Sequence, residues 1–205
     1  MQEDSREIIL NKIKKALQYP TAEPFAAIDQ TEDVFHLPTE DLDIVFAEQF
    51  VSLQGKFLYC LDKRELVNQL TQLKKQQNWN NIFCTETAIR KLLPFNWSSD
   101  LAGCDVSITT CEMLVARTGS IVLSAAQNNG RTASVYAPVH ITIAYTQQLV
   151  YDVADALNAL QKKYGNKLPS FISFASGPSR TADIEKTLVT GVHGPKEVYC
   201  VLVEG

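Results

Sequence analysis

Apolar side chains in the first fifty residues recur at helical spacing. Between residues 3 and 18, Ile9, Ile13 and Leu17 follow one another every four positions among charged side chains, which is typical of an amphipathic helix. The pattern stops at Pro20, and further prolines predict an irregular arm over residues 21–39. A second helix is predicted over about residues 40–53.

From residue 56 the apolar positions come in short runs separated by helical stretches. The first run, residues 57–61, is followed by Asp62 and then Glu65, which has the form of a capping box that begins a helix. A second run at residues 81–84 precedes another short helix. Alternation of strands and helices favours a parallel sheet that is covered by helices on both faces.

Short apolar runs broken by turn residues dominate the middle of the chain. Gly119 and the Asn129-Gly130 pair are turn signals, and residues 148–164 return to helical spacing. We expect an α/β fold with an open, mixed, largely parallel sheet of about seven strands, and a helix at about residues 181–189. The predicted strands of this half cover residues 106–110, 113–117, 120–125, 133–136, 139–144, 171–175 and 197–203.

Length and composition favour one soluble domain. The chain has 205 residues, 45% hydrophobic and 20% charged, which suits a single α/β domain over residues 1–205 with one sizeable core. Residues 1–55 are expected to form N-terminal helices and an arm that pack on the α/β domain. No apolar run reaches the roughly 18 residues of a spanning helix, and the acidic start does not resemble a secretory signal. A cytoplasmic location is therefore expected.

Charge and cysteine content argue against two further classes of protein. The 19 basic and 23 acidic residues leave a net charge of -4, which disfavours binding to nucleic acid. The five cysteines are odd in number, and the closest pair, Cys104 and Cys111, matches neither a zinc site nor an iron–sulfur site. We therefore expect buried thiols in a reducing compartment, and no metal or cofactor held by this chain.

The stretch from residue 177 to 195 carries the least generic pattern. A glycine directly after a predicted strand permits a positive φ, and the serine and threonine that follow it are placed to cap a helix. In an open α/β sheet the crevice at the strand ends commonly binds ligands, and a helix N-terminus favours a carboxylate or phosphate. Arginine supplies a forked donor for such an anion. The predicted ligand-binding residues of this segment are Gly177, Pro178, Ser179, Arg180, Thr181 and Asp183.

A purely structural role for the same residues stays open. Ser179 and Thr181 would then only cap the helix, and Arg180 would form a surface ion pair. His193 lies in the glycine-rich loop that follows, where it is a candidate acid, base or anion donor, or else holds the loop by a hydrogen bond. His140, at a predicted strand start, is a further candidate for facing the crevice.

A second candidate site is the tight turn formed by Thr118, Gly119 and Ser120. Its N–H groups and two hydroxyls would hold an oxyanion, and a plain hairpin turn is the alternative. The chain contains no Ser-His-Asp order, Walker loop, G-x-G-x-x-G or H-E-x-x-H motif. The best attested hydrolase, nucleotide-binding and zinc motifs are therefore excluded.

The motifs at residues 177–185 and 191–195 resemble those of the lactate utilization protein C family, also called the LUD domain. The likeness extends upstream through residues 118–123 and 138–140. It implies a fold like that of the sugar-phosphate isomerase and CoA-transferase group, and a role in oxidising L-lactate to pyruvate. Family members commonly carry an acidic residue before the Thr-Gly turn, where this chain has Arg117.

The resemblance also implies partners. It implies a non-cluster subunit that works beside iron–sulfur partner subunits and does not catalyse the oxidation alone. We expect it to bind a small carboxylate or a phosphorylated ligand. Two alternatives stay open, a stand-alone enzyme acting on a sugar phosphate or CoA ester, and a regulatory module that binds a metabolite.

Overall fold

The structure is a computed structural model and describes residues 5–18, 40–127, 131–181 and 189–205. The chain divides into two compact units, Met1–Leu37 and Pro38–Gly205. In the first unit, helix α1 (Ser5–Leu17) confirms the predicted amphipathic helix, and its apolar residues Ile9 and Ile13 are exposed. The predicted arm at residues 21–39 lies outside the described residues. That residues 1–205 form one domain stays a prediction.

The described residues of the second unit form further helices and strands. The helices are α2 (Leu42–Ser52), α3 (Lys63–Gln76), α4 (Thr87–Leu92), α5 (Ala133–Tyr136) and α6 (Val153–Tyr164). The strands are β1 (Lys56–Cys60), β2 (Ile82–Phe83), β3 (Trp97–Ser98), β4 (Val106–Thr110), β5 (Met113–Val115), β6 (Ser120–Ser124), β7 (Val139–Tyr145), β8 (Leu149–Val150), β9 (Ile172–Ala175), β10 (Arg180–Thr181), β11 (Val189–Thr190) and β12 (Glu197–Val203).

The larger sheet is parallel. In the described part of the chain it has six strands in the order β1-β12-β7-β4-β2-β3, and every pairing within it is parallel. The predicted helix start after β1 is confirmed, because the N-cap Asp62 accepts hydrogen bonds from the amides of Arg64 and Glu65 at 2.8 Å. The capping box is modified, because Glu65 accepts from the amide of Leu61, at 2.7 Å, and not from that of Asp62. These contacts turn the chain from β1 directly into α3.

A second sheet, which the sequence did not predict, stands beside the first. Among the described residues it has four strands in the order β8-β5-β6-β9, and β6 pairs antiparallel with both β5 and β9. Only Cys111 and Glu112 separate β4 of the first sheet from β5 of the second. Apolar runs that are buried on both faces do not reveal which strand they will pair with, so the sequence suggested a single sheet.

Three apolar clusters define the layers. Leu66 and Leu70 of α3 pack with Ile89 of α4 on one face of the larger sheet. Phe46 and Phe50 of α2 lie on its other face, between the two sheets. A third cluster joins α6 to the outer face of the second sheet through Ala156, Leu160, Val115 and Val122. The predicted α/β class with helices on both sides is confirmed.

Two local predictions are wrong. Residues 133–136, predicted as a strand, form α5, although valine and tyrosine favour strands; β-propensity is a weak signal that tertiary context overrides. The predicted helix at residues 181–189 is contradicted at both ends, because Thr181 and Val189 belong to the antiparallel pair β10 and β11. Residues 182–188 lie outside the described residues.

No helix in the described ranges has the length and apolar character needed to cross a membrane.

Candidate functional site at the ends of the parallel sheet

The parallel strands give the larger sheet two distinct ends. At the carboxyl end, β1, β12, β7 and β4 stop at Cys60, Val203, Tyr145 and Thr110. At the amino end the same strands begin, close to Gly55, Pro138 and Lys196. In open α/β sheets ligands usually bind beyond the carboxyl end, so the position of each candidate residue relative to these two ends matters.

The predicted loop at residues 177–181 lies at the amino end. Gly177 has φ +81°, and a side chain there would collide with the carbonyl oxygen of Leu53, just before β1. The amide of Ser179 donates to the carbonyl of Pro195, just before β12, at 3.0 Å. The loop follows β9, which belongs to the second sheet. The rule that ligands bind beyond the carboxyl ends of parallel strands, which suggested this loop as a site, therefore does not apply to it.

Donors of this loop contact the protein's own carbonyls. Arg180 donates from Nη2 to the carbonyl of Leu53, and the amide of Gly191 donates to the carbonyl of Ser179 at 2.9 Å. Pro178 is buried, His193 is exposed on the neighbouring loop, and Asp183 lies outside the described residues. Anion binding at residues 177–181 stays a prediction, but it would have to displace these internal contacts.

The turn at Thr118, Gly119 and Ser120 lies next to the same loop. It joins β5 to β6, and Ser120 Oγ is 2.8 Å from Thr118 Oγ1 and 2.7 Å from Ser176 Oγ. Gly119 has φ +55°, and a Cβ there would come within 2.7 Å of the backbone nitrogen of Phe50 in α2. The structure therefore brings the two predicted sites together. In both of them, however, the backbone packs closely against other backbone of the same chain.

Arg117, which directly precedes the turn at Thr118, forms a structural ion pair. Its Nε and Nη2 donate to the two carboxylate oxygens of Asp152 at 2.8 and 2.9 Å. Asp152 also caps α6 by accepting from the amide of Val153, and the hydrogen bond from Arg117 lowers the pKa of its carboxyl group. The positive charge of Arg117 is thus balanced by the carboxylate of Asp152 within the same chain.

His140 is buried in β7 at 2% exposure, and that it faces a ligand crevice stays a prediction. Its Nε2 lies 2.8 Å from Thr109 Oγ1, and burial lowers the pKa of the imidazole to about 4, so it is neutral at physiological pH. Thr142 and Ser107 are fully buried beside it, and Ser107 Oγ has no hydrogen-bond partner among the described residues. These groups form a polar patch inside the core.

The carboxyl end of the sheet contains an open cavity, which we name the lysine cavity. Its volume is about 390 Å³. Thr110 at the end of β4 and Tyr145 at the end of β7 form its floor together with apolar side chains of α4. The full lining is Lys63, Ala88, Ile89, Lys91, Leu92, Thr110, Ile143 and Tyr145.

A second cavity adjoins it, which we name the glutamate cavity. It has a volume of about 250 Å³, and Thr110 lines both cavities. Glu86 accepts hydrogen bonds from the amide and hydroxyl of Thr110 at 2.6 and 2.7 Å, and Gln127 Nε2 donates to the same hydroxyl at 3.3 Å. The full lining is Glu86, Thr110, Cys111, Glu112, Ala126, Gln127, Lys163 and Tyr164.

Glu112 of the glutamate cavity accepts three side-chain hydrogen bonds. Its buried carboxylate accepts from Ser124 Oγ at 2.5 Å, Lys163 Nζ at 2.7 Å and Tyr164 hydroxyl at 2.8 Å. Burial alone would raise the pKa of Glu112, but these hydrogen bonds outweigh it and the pKa is lowered. The ionised carboxylate thereby ties α6 to the second sheet.

Sequence reasoning missed both cavities. It followed the glycines and capping residues of the segment 177–195, whereas Lys63, Glu86 and Thr110 carry no motif. The available signal was topological, because each of these residues follows or ends a parallel strand. A search for polar residues directly after the predicted parallel strands would have found them.

The cysteines give no sign of a metal site. All five are buried and form no disulfide, and burial raises the pKa of Cys60 and Cys84 to about 11, which disfavours the thiolate that binds metals. Across the parts of the chain with described coordinates, no three or more His, Cys, Asp or Glu side chains are grouped to hold a metal ion.

Three comparisons with known proteins bear on this fold. The family model described as the LUD domain matches residues 74–203. A crystal structure of a DUF162 family protein from Deinococcus radiodurans superimposes with a TM-score of 0.60 over 82% of this chain and 99% of that one, at 18% identity, a likeness of fold alone.

Curated relatives are similar over part of their length. Lactate utilization protein C of Halalkalibacterium halodurans is 38% identical over 102 residues, which are 49% of this chain and 44% of that protein. The protein of the same name from Bacillus subtilis is 35% identical over 101 residues, 48% of this chain and 42% of that protein. The matched segment therefore spans less than half the length of these relatives.

Proposed function

This chain belongs to the LUD domain family, and we propose that it is a component of a lactate-utilizing system. One observation carries this proposal, the 33–38% identity that links half of the chain to several proteins named lactate utilization protein C. The resemblance of residues 177–195 to that family supports it independently of the fold.

In this system we assign the chain the role of the subunit without a cluster. Oxidation of L-lactate to pyruvate releases two electrons and two protons, and iron–sulfur clusters of partner subunits would accept the electrons one at a time. The cysteines support this division of roles, because their spacing matches no cluster motif and their thiols are buried.

The chain's own contribution would be to bind the small anionic substrate. The sequence places that ligand at residues 177–181, where Ser179 and Arg180 already contact backbone carbonyls. The carboxyl end of the sheet, with Lys63 and Lys91 around an open cavity, suits a carboxylate better.

Isolation of the tagged full chain from its source cells tests the proposal. The protein would be purified with its partners under mild conditions and without them after a high-salt wash, and both preparations assayed for L-lactate-dependent dye reduction and for iron. We expect reduction and iron only in the preparation that retains the partners.

Three results would contradict the proposal. Lactate-dependent reduction by the stripped chain would show that it catalyses the reaction alone. If a complex that contains iron does not oxidise lactate, the chain has no role in lactate oxidation. Turnover of a sugar phosphate or CoA thioester by the lone chain would establish a stand-alone enzyme instead.

A further inference from the structure

The charges around the lysine cavity favour an anion. Lys63 begins α3 directly after β1, and Lys91 lies in the last turn of α4. Among the eight residues that line the cavity there is no carboxylate. Glu86, which accepts from Thr110, and Asp62, which precedes Lys63, lie outside the lining, so the two lysines are the charges that a carboxylate inside the cavity would meet.

The hydroxyl of Thr110 has a defined hydrogen-bonding direction. Its proton is donated to Glu86 Oε2 at 2.7 Å. Its oxygen is therefore left as an acceptor, and Gln127 already donates to it at 3.3 Å from the glutamate cavity. On the side of the lysine cavity this oxygen suits a ligand hydroxyl, and it has no proton to offer a ligand carbonyl.

The rest of the lining is apolar. Ala88 is exposed and Leu92 is half-buried, and Ile89 and Ile143 lie behind them at 4% and 2% exposure. A cavity of about 390 Å³ falls within the usual size range of small-molecule sites. Lactate, whose side chain is a single methyl group, would leave much of this apolar surface uncovered.

We propose that the lysine cavity binds a 2-hydroxy acid. Its carboxylate lies beside Lys63 and Lys91, its hydroxyl donates to Thr110, and an apolar side chain longer than methyl covers Ala88 and Leu92. This assignment rests on the proposed function for the class of substrate. It adds two binding preferences that the proposed function does not contain. The cavity would bind hydroxy acids more tightly than oxo acids, and ligands with longer side chains more tightly than those with shorter ones.

Calorimetric titration of the full chain tests the ligand class. L-Lactate, pyruvate and 2-hydroxy acids with side chains lengthened one carbon at a time are the probes. We expect each added methylene to tighten binding about threefold to fourfold until the wall is covered, and lactate to bind about tenfold more tightly than pyruvate. Equal binding of the hydroxy and oxo acids, or no gain with side-chain length, would overturn the proposal.

Variants test the residues. Lys63→Met and Lys91→Met keep the side-chain length and should each weaken binding about fivefold, whereas Lys75→Met, an exposed lysine of α3 outside the cavity, should change it less than about twofold. Thr110→Val should remove the preference for hydroxy acids, and Thr110→Ser should retain it. If Thr110→Val does not fold, the serine and lysine variants still decide the question.

The rival position is tested by Arg180→Met. A loss of binding of about tenfold in this variant, with Lys63→Met and Lys91→Met unaffected, would return the ligand to residues 177–181 and overturn the assignment.

The isolated complex separates failure of this site from failure of the proposed function. Lactate oxidation that is unchanged in the lysine variants would overturn the site and leave the function standing. Lysine-dependent binding of hydroxy acids in a complex that does not oxidise lactate would support the site and contradict the function.

Discussion

The two ends of the larger sheet differ in how their irregular segments are used. At the amino end, Gly119 and Gly177 have positive φ, and neighbouring backbone fills the space that a side chain would need. The loop donors there contact carbonyls of the same chain. At the carboxyl end, two cavities meet at Thr110, with lysines in one lining and buried carboxylates in the other.

This contrast shows that a glycine-rich loop has two physical explanations. Glycine permits a backbone to approach a ligand, and equally permits it to approach another part of its own chain. Here the second explanation accounts for the amino end, while the polar residues available to a ligand stand where the parallel strands stop. The predictions below test that division.

The largest effect is expected for Gly177→Ala at the amino end. A Cβ at this residue combines strain at φ +81° with a collision against Leu53, and should lower the free energy of unfolding by roughly 2–5 kcal/mol. Denaturant titration measures the loss. The control is Gly165→Ala, where φ is +56° and ψ is -129° but no atom lies within 4 Å of the added Cβ, so the loss should be limited to backbone strain of about 1–3 kcal/mol. Equal losses would refute close packing as the role of Gly177.

The buried imidazole at the amino end should make stability depend on pH. His140 has a pKa of about 4 in the folded chain and about 6.5 when unfolded, so the unfolded chain binds more protons between these values. The free energy of unfolding should fall by up to roughly 3 kcal/mol as pH decreases through this window. His140→Gln should flatten the profile, while the exposed His193→Gln should leave its slope unchanged. A profile as steep in His140→Gln as in the parent chain would contradict this account.

At the carboxyl end the buried titratable group is the carboxylate of Glu112, whose charged form is favoured, whereas burial favours the neutral form of His140. Glu112→Gln keeps the shape but weakens hydrogen bonds from Lys163, Ser124 and Tyr164, and should cost about 2 kcal/mol by denaturant titration. Because the folded pKa of Glu112 is lowered, its contribution is present above the ordinary value of about 4.3 and is lost as pH falls further.

The control for Glu112 is the exposed partner. Lys163 is 59% exposed in its side chain, so Lys163→Met should cost less than about 1 kcal/mol. A loss as large as that of Glu112→Gln would show that the lysine, and not the hydrogen-bonded carboxylate, holds α6 against the second sheet.

The smallest effect is expected at the Arg117–Asp152 pair. A double-mutant cycle with Arg117→Met and Asp152→Asn should give a coupling energy below about 1 kcal/mol, because both side chains retain contact with solvent. Binding of 2-hydroxy acids should be unaffected in Arg117→Met. A tenfold loss of that binding would show that the positive charge before the turn serves the ligand.

Local signals were enough to predict much of the fold. The N-cap at Asp62 and the β-branched run of β7 belong to single short segments, and the structure confirms both. Which strands pair with each other could not be predicted from the sequence, because the antiparallel pairing of β6 with β9 depends on residues some fifty positions apart. The candidate site was missed for the same reason, since Lys63, Lys91 and Thr110 meet only once the sheet has formed.

The position of β12 has a consequence for synthesis of the chain. β1 lies at one side of the larger sheet and pairs there with β12 alone among the described strands, and the salt bridge between Lys56 and Glu197 joins residues 141 positions apart. At ribosomal speed, an interval on the order of ten seconds separates the emergence of the two strands. Until then the nascent protein exposes an unpaired strand, which makes it a client for chaperones and prone to aggregate whenever translation stalls before residue 197.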